Sequence, residues 1–294
     1  MTATVHFNKE FVDASDASLS IHDGGWLHGA GLFETMRAEN GRVFRLESHI
    51  ERLRRSAETI LVPIERDALP TADDVSGLLT RNGLTKARLR LTVSAGKPSM
   101  TTGNATPATG EASLLVVCLT ATELTSYPAD FYEKGISVVI CRHRVSPTDP
   151  IAGHKTTAYL PRLLGLRDAQ QARCVEAIWF TTENQLAEGC ISNVFVVSKG
   201  VLKTPPLKLP ILPGITRAVV LEIASRIGVE ARECPLTVDD LLDADEVLLT
   251  NSIMQIMPVA RVERHDIGEG RAGPIAKKLL DEYRSLVRRE CAHE

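Results

Sequence analysis

Lys155 and Glu188 are the residues whose types and surroundings could do chemistry together. Lys155 stands in Gly153-His154-Lys155-Thr156-Thr157-Ala158-Tyr159-Leu160, at the opening of a helix-like run. Glu188 lies just beyond a short strand, in the apolar-flanked stretch 186-LAEGCISNVFVV-197. A lysine amine condenses with an aldehyde, and a carboxylate can hold a pyridine nitrogen protonated. On a rigid framework such a pair suits pyridoxal 5'-phosphate (PLP). Taken singly, each residue reads equally as a solvated surface group.

Other residues offer anchors for the rest of such a cofactor. Pro213-Gly214-Ile215-Thr216 puts a glycine turn ahead of the helix 217-RAVVLEIASRI-227. The free N–H groups and positive dipole end of a helix N-terminus bind phosphate, although a plain helix start explains the same pattern. Thr250-Asn251-Ser252 ends an apolar strand-like run, where hydroxyls can reach a ligand at a sheet edge. Arg52, in the pattern His49-x-x-Arg52-Leu53, carries a guanidinium that matches phosphate oxygens with two parallel hydrogen bonds. Arg88 and Arg90 alternate with apolar residues along 87-ARLRLTVSAG-96, so both point to one face of a strand, either a carboxylate site or solvent. A separate reading takes His22, Asp23 and His28 as ligands of a catalytic zinc in a hydrolase, with no further His/Cys cluster to support it.

Behind these residues the chain shows a mixed order of elements. The segment 4-TVHFNKEFV-12 predicts two short strands around an Asn-Lys turn, and Glu39-Asn40-Gly41 between alternating runs predicts a hairpin. In 46-LESHIERLRRSAETI-60, Leu46, Ile50, Leu53, Ala57 and Ile60 form one helical stripe, and a second helix is expected over 76–84. Strands are expected at 87–96 and 112–120, joined by a polar Gly/Pro/Thr-rich loop over 97–111. The second half alternates strand-like and helix-like runs, with an amphipathic helix over 160–172 and a last helix over 274–291. At 294 residues two domains are expected. These are a small N-terminal α/β domain over 1–125, a linker over 126–134, and a larger domain over 135–294 carrying Lys155.

Composition excludes several function classes. The net charge of −3 lacks the basic face that nucleic acid requires. No apolar run reaches membrane-spanning length, and the N-terminus lacks the basic-then-apolar order of a signal peptide. The six cysteines are scattered without CxxC spacing, which suits buried thiols in a reducing cytoplasm.

Five motifs in order resemble the class IV aminotransferases, the fold-type IV PLP enzymes. They are 29-GAGLFETMRAENGRVFRLESHIERLRRSA-57, Lys155 with Tyr159-Leu160, 187-AEGCISNVFVV-197, 212-LPGITR-217 and 249-LTNSIMQIMPV-259. The resemblance implies a two-domain α+β/α/β architecture like that of D-amino acid aminotransferase. It makes Lys155 the Schiff-base residue and proton shuttle and Glu188 the partner of the pyridinium nitrogen. It implies phosphate contacts from Arg52, Ile215, Thr216 and Ser252, a Tyr159 contact to the phenolic oxygen, and Asn193 in the cofactor-binding set. His28 and Thr35 would line the substrate side, with Arg90 for the carboxylate. His28 and Ala30 depart from the family's usual tyrosine and aspartate. Thr35, where branched-chain transaminases commonly have glycine, and 252-SIMQIMPV-259 look more like the aminodeoxychorismate lyases. The implied reaction is amino transfer between an amino acid and a 2-oxo acid; the alternative is release of pyruvate and 4-aminobenzoate. The implied assembly is a homodimer to which the 22–31 turn and the 97–111 loop contribute.

Overall fold

The computed structural model describes residues 3–60, 62, 64–65, 67–96 and 115–292. The expected 97–111 loop and the first residues of the strand expected at 112 lie outside them. The chain forms two compact units: residues 1–125 with 154–159 and 288–294, and residues 126–153 with 160–287.

The first unit contains β1 (Thr4–Phe7), β2 (Glu10–Asp13), α1 (Gly24–His28), β3 (Gly31–Glu39), β4 (Arg42–Val43), α2 (Leu46–Thr59), α3 (Ala72–Arg81), β5 (Ala87–Ser94) and β6 (Val116–Glu123). Its antiparallel sheet runs β2-β1-β6-β5-β3-β4. Both predicted hairpins form, with left-handed turn residues at Asn8-Lys9 and Asn40-Gly41. Leu32, Met36, Leu89, Leu91 and Leu119 on one sheet face pack against Leu46, Leu53, Leu78 and Leu79 of α2 and α3. Helix α3 begins earlier than the sequence predicts, because Thr71 and Asp74 close a reciprocal capping box.

The Lys155 segment does not open a helix. Phe33 N donates to Lys155 O at 2.9 Å, Thr157 N donates to Gly31 O at 2.9 Å, and Leu32 bridges Thr156. Strand β4 pairs with only the last two residues of β3, so the first half of that edge offers backbone partners that residues 155–157 take up. This pairing groups 154–159 with the N-terminal unit, whereas the sequence places Lys155 with the C-terminal part.

The second unit contains α4 (Ala129–Lys134), β7 (Ile136–Val145), α5 (Leu160–Gln171), β8 (Glu176–Thr181), β9 (Leu186–Gly189), β10 (Asn193–Ser198) and β11 (Val201–Thr204). It continues through α6 (Ile215–Arg226), β12 (Ala231–Glu233), α7 (Val238–Leu242), β13 (Glu246–Asn251), β14 (Gln255–Val262), β15 (His265–Asp266) and α8 (Pro274–Glu290). The mixed sheet runs β12-β11-β10-β13-β14-β7-β8-β9, with β15 on β14. Strands β8 and β10 are apolar almost throughout and buried on both faces. In place of a linker over 126–134 there is helix α4. Tyr127, Phe131 and Tyr132 pack on the core, and the Tyr132 hydroxyl donates to Met254 O at 3.1 Å. Among the described residues no helix is long and apolar enough to cross a membrane.

Candidate active site

In the first unit, β3 presents its alternate residues to two different environments. Phe33 and Thr35 lie on one face, and Thr35 pairs across with Arg90 of β5. Lys155 Nζ sits 4.4 Å from the centre of the Phe33 ring and 5.9 Å from that of Tyr159, whose ring meets Phe33 edge-on. The Arg90 guanidinium lies 3.8 Å from the same Phe33 ring, and its Nε donates to Thr92 Oγ1. Partial burial, then the neighbouring charge of Arg88, lowers the pKa of Arg90. Lys155, Phe33, Tyr159, Thr35 and Arg90 are thus one cluster, while His28 closes the short helix α1 and is exposed.

The other face of β3 carries Glu34 into the core, where sequence reasoning saw no role for it. Arg52 Nε and Nη2 donate to its two oxygens at 2.8 and 2.5 Å, and His49 Nδ1 lies 2.8 Å from Oε2. Burial pushes the Glu34 pKa up, but the Arg52 charge and the hydrogen bonds from His49 and Arg52 outweigh it and leave it at about 2. Burial lowers the pKa of His49 despite Glu34. At least two of the Arg52 donors are therefore fixed on a carboxylate, which sets the plane of the guanidinium.

In the second unit Glu188 lies on β9 and is buried. Its Oε2 accepts from Leu212 N at 2.9 Å and from Asn193 Nδ2 at 3.3 Å, and Asn193 Nδ2 also donates to Leu212 O at 2.8 Å. Asn193 and Glu188 thereby hold the segment leading into α6. Gly214 is the N-cap of that helix and supplies no capping side chain. A Cβ on Gly214 would sit 1.9 Å from Asn193 Oδ1, so only glycine fits. Ile215 and Thr216 open the helix, and their amides precede its internal ladder. Ser252 lies in the turn between β13 and β14, where Asn251 Oδ1 accepts from Ile253 N and Met254 N and Asn251 Nδ2 donates to Ile191 O. Beneath the 189–192 turn, Glu176 accepts from the amides of Ala177, Cys190 and Ile191 and from the Ser192 hydroxyl. Burial, opposed by those bonds, raises its pKa to about 7. Periodicity could not have revealed Glu34, whose partners lie 15 and 18 residues away, or the 14–16-residue contacts of Glu176 to the 190–192 turn.

Among the described residues no group of His, Cys, Asp and Glu could hold a metal ion. Asp23, one of the three residues weighed as zinc ligands, instead caps α1 through Trp26 N and accepts from Ser94 Oγ.

The first unit offers a lysine beside an aromatic wall, and the second offers a buried carboxylate tied to a helix start opened by glycine; each suits PLP chemistry by itself. The chain belongs to the class IV aminotransferases: the family model described as amino-transferase class IV matches residues 31–262. A putative branched-chain-amino-acid aminotransferase of Methanocaldococcus jannaschii is 34% identical, covering 96% of each chain. The solved branched-chain amino acid aminotransferase of Escherichia coli matches with a TM-score of 0.88 and 28% identity, over 100% of this chain and 97% of that one. A 4-amino-4-deoxychorismate lyase from Pseudomonas aeruginosa matches with a TM-score of 0.79 and 28% identity, over 92% and 95%. The fold is fold-type IV, and the protein is a PLP-dependent aminotransferase.

Proposed function

We propose that the protein moves the amino group of an apolar, branched-chain-type α-amino acid to a 2-oxo acid. The observation that carries this reading is the Phe33 ring, with the Lys155 amine at 4.4 Å and the Arg90 guanidinium at 3.8 Å from its centre. An apolar wall beside an amine and a guanidinium suits a substrate with a hydrocarbon side chain and one carboxylate. The name of the Methanocaldococcus jannaschii relative supports the same class.

When bound, PLP supplies an electron sink for the charge left as the substrate Cα loses its proton. Lys155 is the residue that would hold the cofactor covalently, and its amine would carry the substrate Cα proton. Glu188 would hold the ring nitrogen and keep it protonated. The amides of Ile215 and Thr216 and the Ser252 hydroxyl would hold phosphate, and Arg52 would be a further phosphate residue. Tyr159 would donate to the phenolic oxygen, and Asn193 holds Glu188 against the segment before α6. Arg90 and Thr35 take the substrate carboxylate, and His28 belongs to the substrate-side turn.

A lyase releasing pyruvate and 4-aminobenzoate is the second reading, favoured by Thr35 opposite Arg90 and by the solved lyase. Single-turnover assays with L-leucine, D-alanine and aminodeoxychorismate in parallel distinguish the two. Formation of the keto acid from leucine is expected; 4-aminobenzoate as the sole product would overturn the transaminase reading. D-alanine as the sole amino donor would replace the branched-chain class with a D-amino-acid one. The proposal includes a homodimer working in the cytoplasm, without nucleic-acid or membrane partners. Ile21 and Trp26, 73% and 71% exposed, support a self-association surface, and the net charge of −3 speaks against nucleic acid.

A further inference from the structure

We propose that Arg162 is a positioning residue that keeps Glu188 ionised and aimed, so that the cofactor ring nitrogen meets a fixed negative charge. The inference rests on the assignment of Glu188 to that nitrogen. Arg162 lies in the first turn of α5, 26 residues before Glu188, and no motif draws attention to it.

Three contacts hold its guanidinium. Nη2 donates to Glu188 Oε1 at 2.6 Å, Nη1 donates to Gly189 O at 3.1 Å, and the group lies 4.7 Å from the Trp179 ring centre. Trp179 is itself fixed, with its indole N–H donating to Cys190 Sγ at 3.1 Å. Gly165, one turn further along α5, lets the helix approach: a Cβ there would lie 2.7 Å from Cys190 Sγ and 3.3 Å from Trp179 Nε1. The ion pair is desolvated, with the Arg162 and Glu188 side chains only 18% and 8% exposed. An exposed pair of this kind contributes little, whereas removing one member of a buried pair leaves an uncompensated charge.

The fork matters as well as the charge. Acceptors on two consecutive residues and an aromatic face suit a planar guanidinium; a lysine ammonium can meet only part of that set. Among the described residues, the titratable groups around this turn include Glu176 on β8, Cys190 in the turn, and Cys141 and His143 on β7, with Asp168 and Arg144 acting on Cys141. Glu176 and the thiols carry no positive charge in any protonation state. Cys190 is pushed up to about 12, first by burial and then by Glu176. Arg162 is a permanent cation in direct contact with Glu188. The backbone amide of Leu212 and the side-chain amide of Asn193 orient the opposite oxygen without adding charge.

Without Arg162 the buried Glu188 should take up a proton as the pH falls, and a neutral acid offers the ring N–H⁺ an acceptor without the negative charge that holds it. The test measures the dissociation constant of PLP from the apoprotein between pH 5.5 and 8.5 for wild type and Arg162→Met. Taking the ratio of the two cancels the cofactor's own titrations. The ratio is expected to grow on acidification, approaching about tenfold per pH unit at the acid end of the range. Arg162→Lys, which retains the charge, is expected to flatten the profile. In a Glu188→Gln background, Arg162→Met should produce no pH-dependent change. Should Arg162→Met not fold, Arg162→Gln carries the same comparison. A variant-to-wild-type ratio that stays constant across this range overturns the proposal while leaving the cofactor assignment standing. Wild-type protein that binds no PLP overturns both.

Discussion

Two buried carboxylates of opposite temper show how much single residues depend on what surrounds them. Glu34 has a pKa of about 2 because Arg52 and His49 outweigh its burial, while Glu176, held only by neutral donors, is raised to about 7. Their effects on stability have opposite signs against the ordinary value of 4.5. Glu34 stabilises the fold fully above about pH 4.5, and this contribution is lost as the pH falls towards 2. Glu176 stabilises most below about 4.5, where both states are protonated, and its contribution declines as the pH rises to about 7. Each effect is on the order of 3 kcal/mol at most. Urea unfolding from pH 3 to 8 should show a shallower acid limb for Glu34→Gln, and for Glu176→Gln the loss of the decline between 4.5 and 7. Slopes equal to wild type would place the charges elsewhere. At Lys155 the expectation concerns covalent attachment. Lys155→Ala should fold, but borohydride should no longer fix PLP to the chain; a label appearing on another lysine would move the assignment there.

Elements were legible in the sequence wherever local signals agreed. The Asn-Lys and Asn-Gly turns formed as predicted, and α2 begins where its apolar stripe begins. The buried face of α2 is nevertheless wider than that stripe, because His49, Arg52 and Ser56 are buried along with Leu46, Leu53 and Ala57. Periodicity assigns polar residues to solvent; a carboxylate supplied by a neighbouring strand reverses that assignment. Helix α5 departs the other way: Leu160, Leu163 and Leu164 are exposed, and only Gly165 and Ala169 are buried. The start of α6 allows a prediction at this scale. Gly214→Ala drives a Cβ into Asn193 Oδ1, so it should cost about 1–3 kcal/mol of stability as overpacking. It should also weaken PLP binding about tenfold or more, because the same shift displaces the Ile215 and Thr216 amides proposed to hold its phosphate. Equal melting temperature and equal cofactor affinity would remove Gly214 from the phosphate cradle.

For the whole molecule, the exposed apolar residues of each unit bear on assembly. Leu19, Ile21, Trp26 and Leu27 in the first unit, and Leu160, Leu163 and Leu164 in the second, are large side chains left in water by one chain alone. Sedimentation should show a dimer, and Trp26→Glu should shift it towards monomer; a fully active monomeric wild type would exclude the homodimer. The sequence by itself determined the order of the family's motifs, in which Arg52, Lys155, Glu188, Thr216 and Ser252 are the residues proposed for PLP. These sit in short motifs whose turn and helix signals are local. Only the tertiary structure decided that residues 155–157 complete the edge of β3, that Glu34 anchors Arg52, and that Arg162 meets Glu188. Backbone edges and buried charges find partners far along the chain. The free energy that selects those partners comes from desolvation in the folded core, which no window of sequence contains.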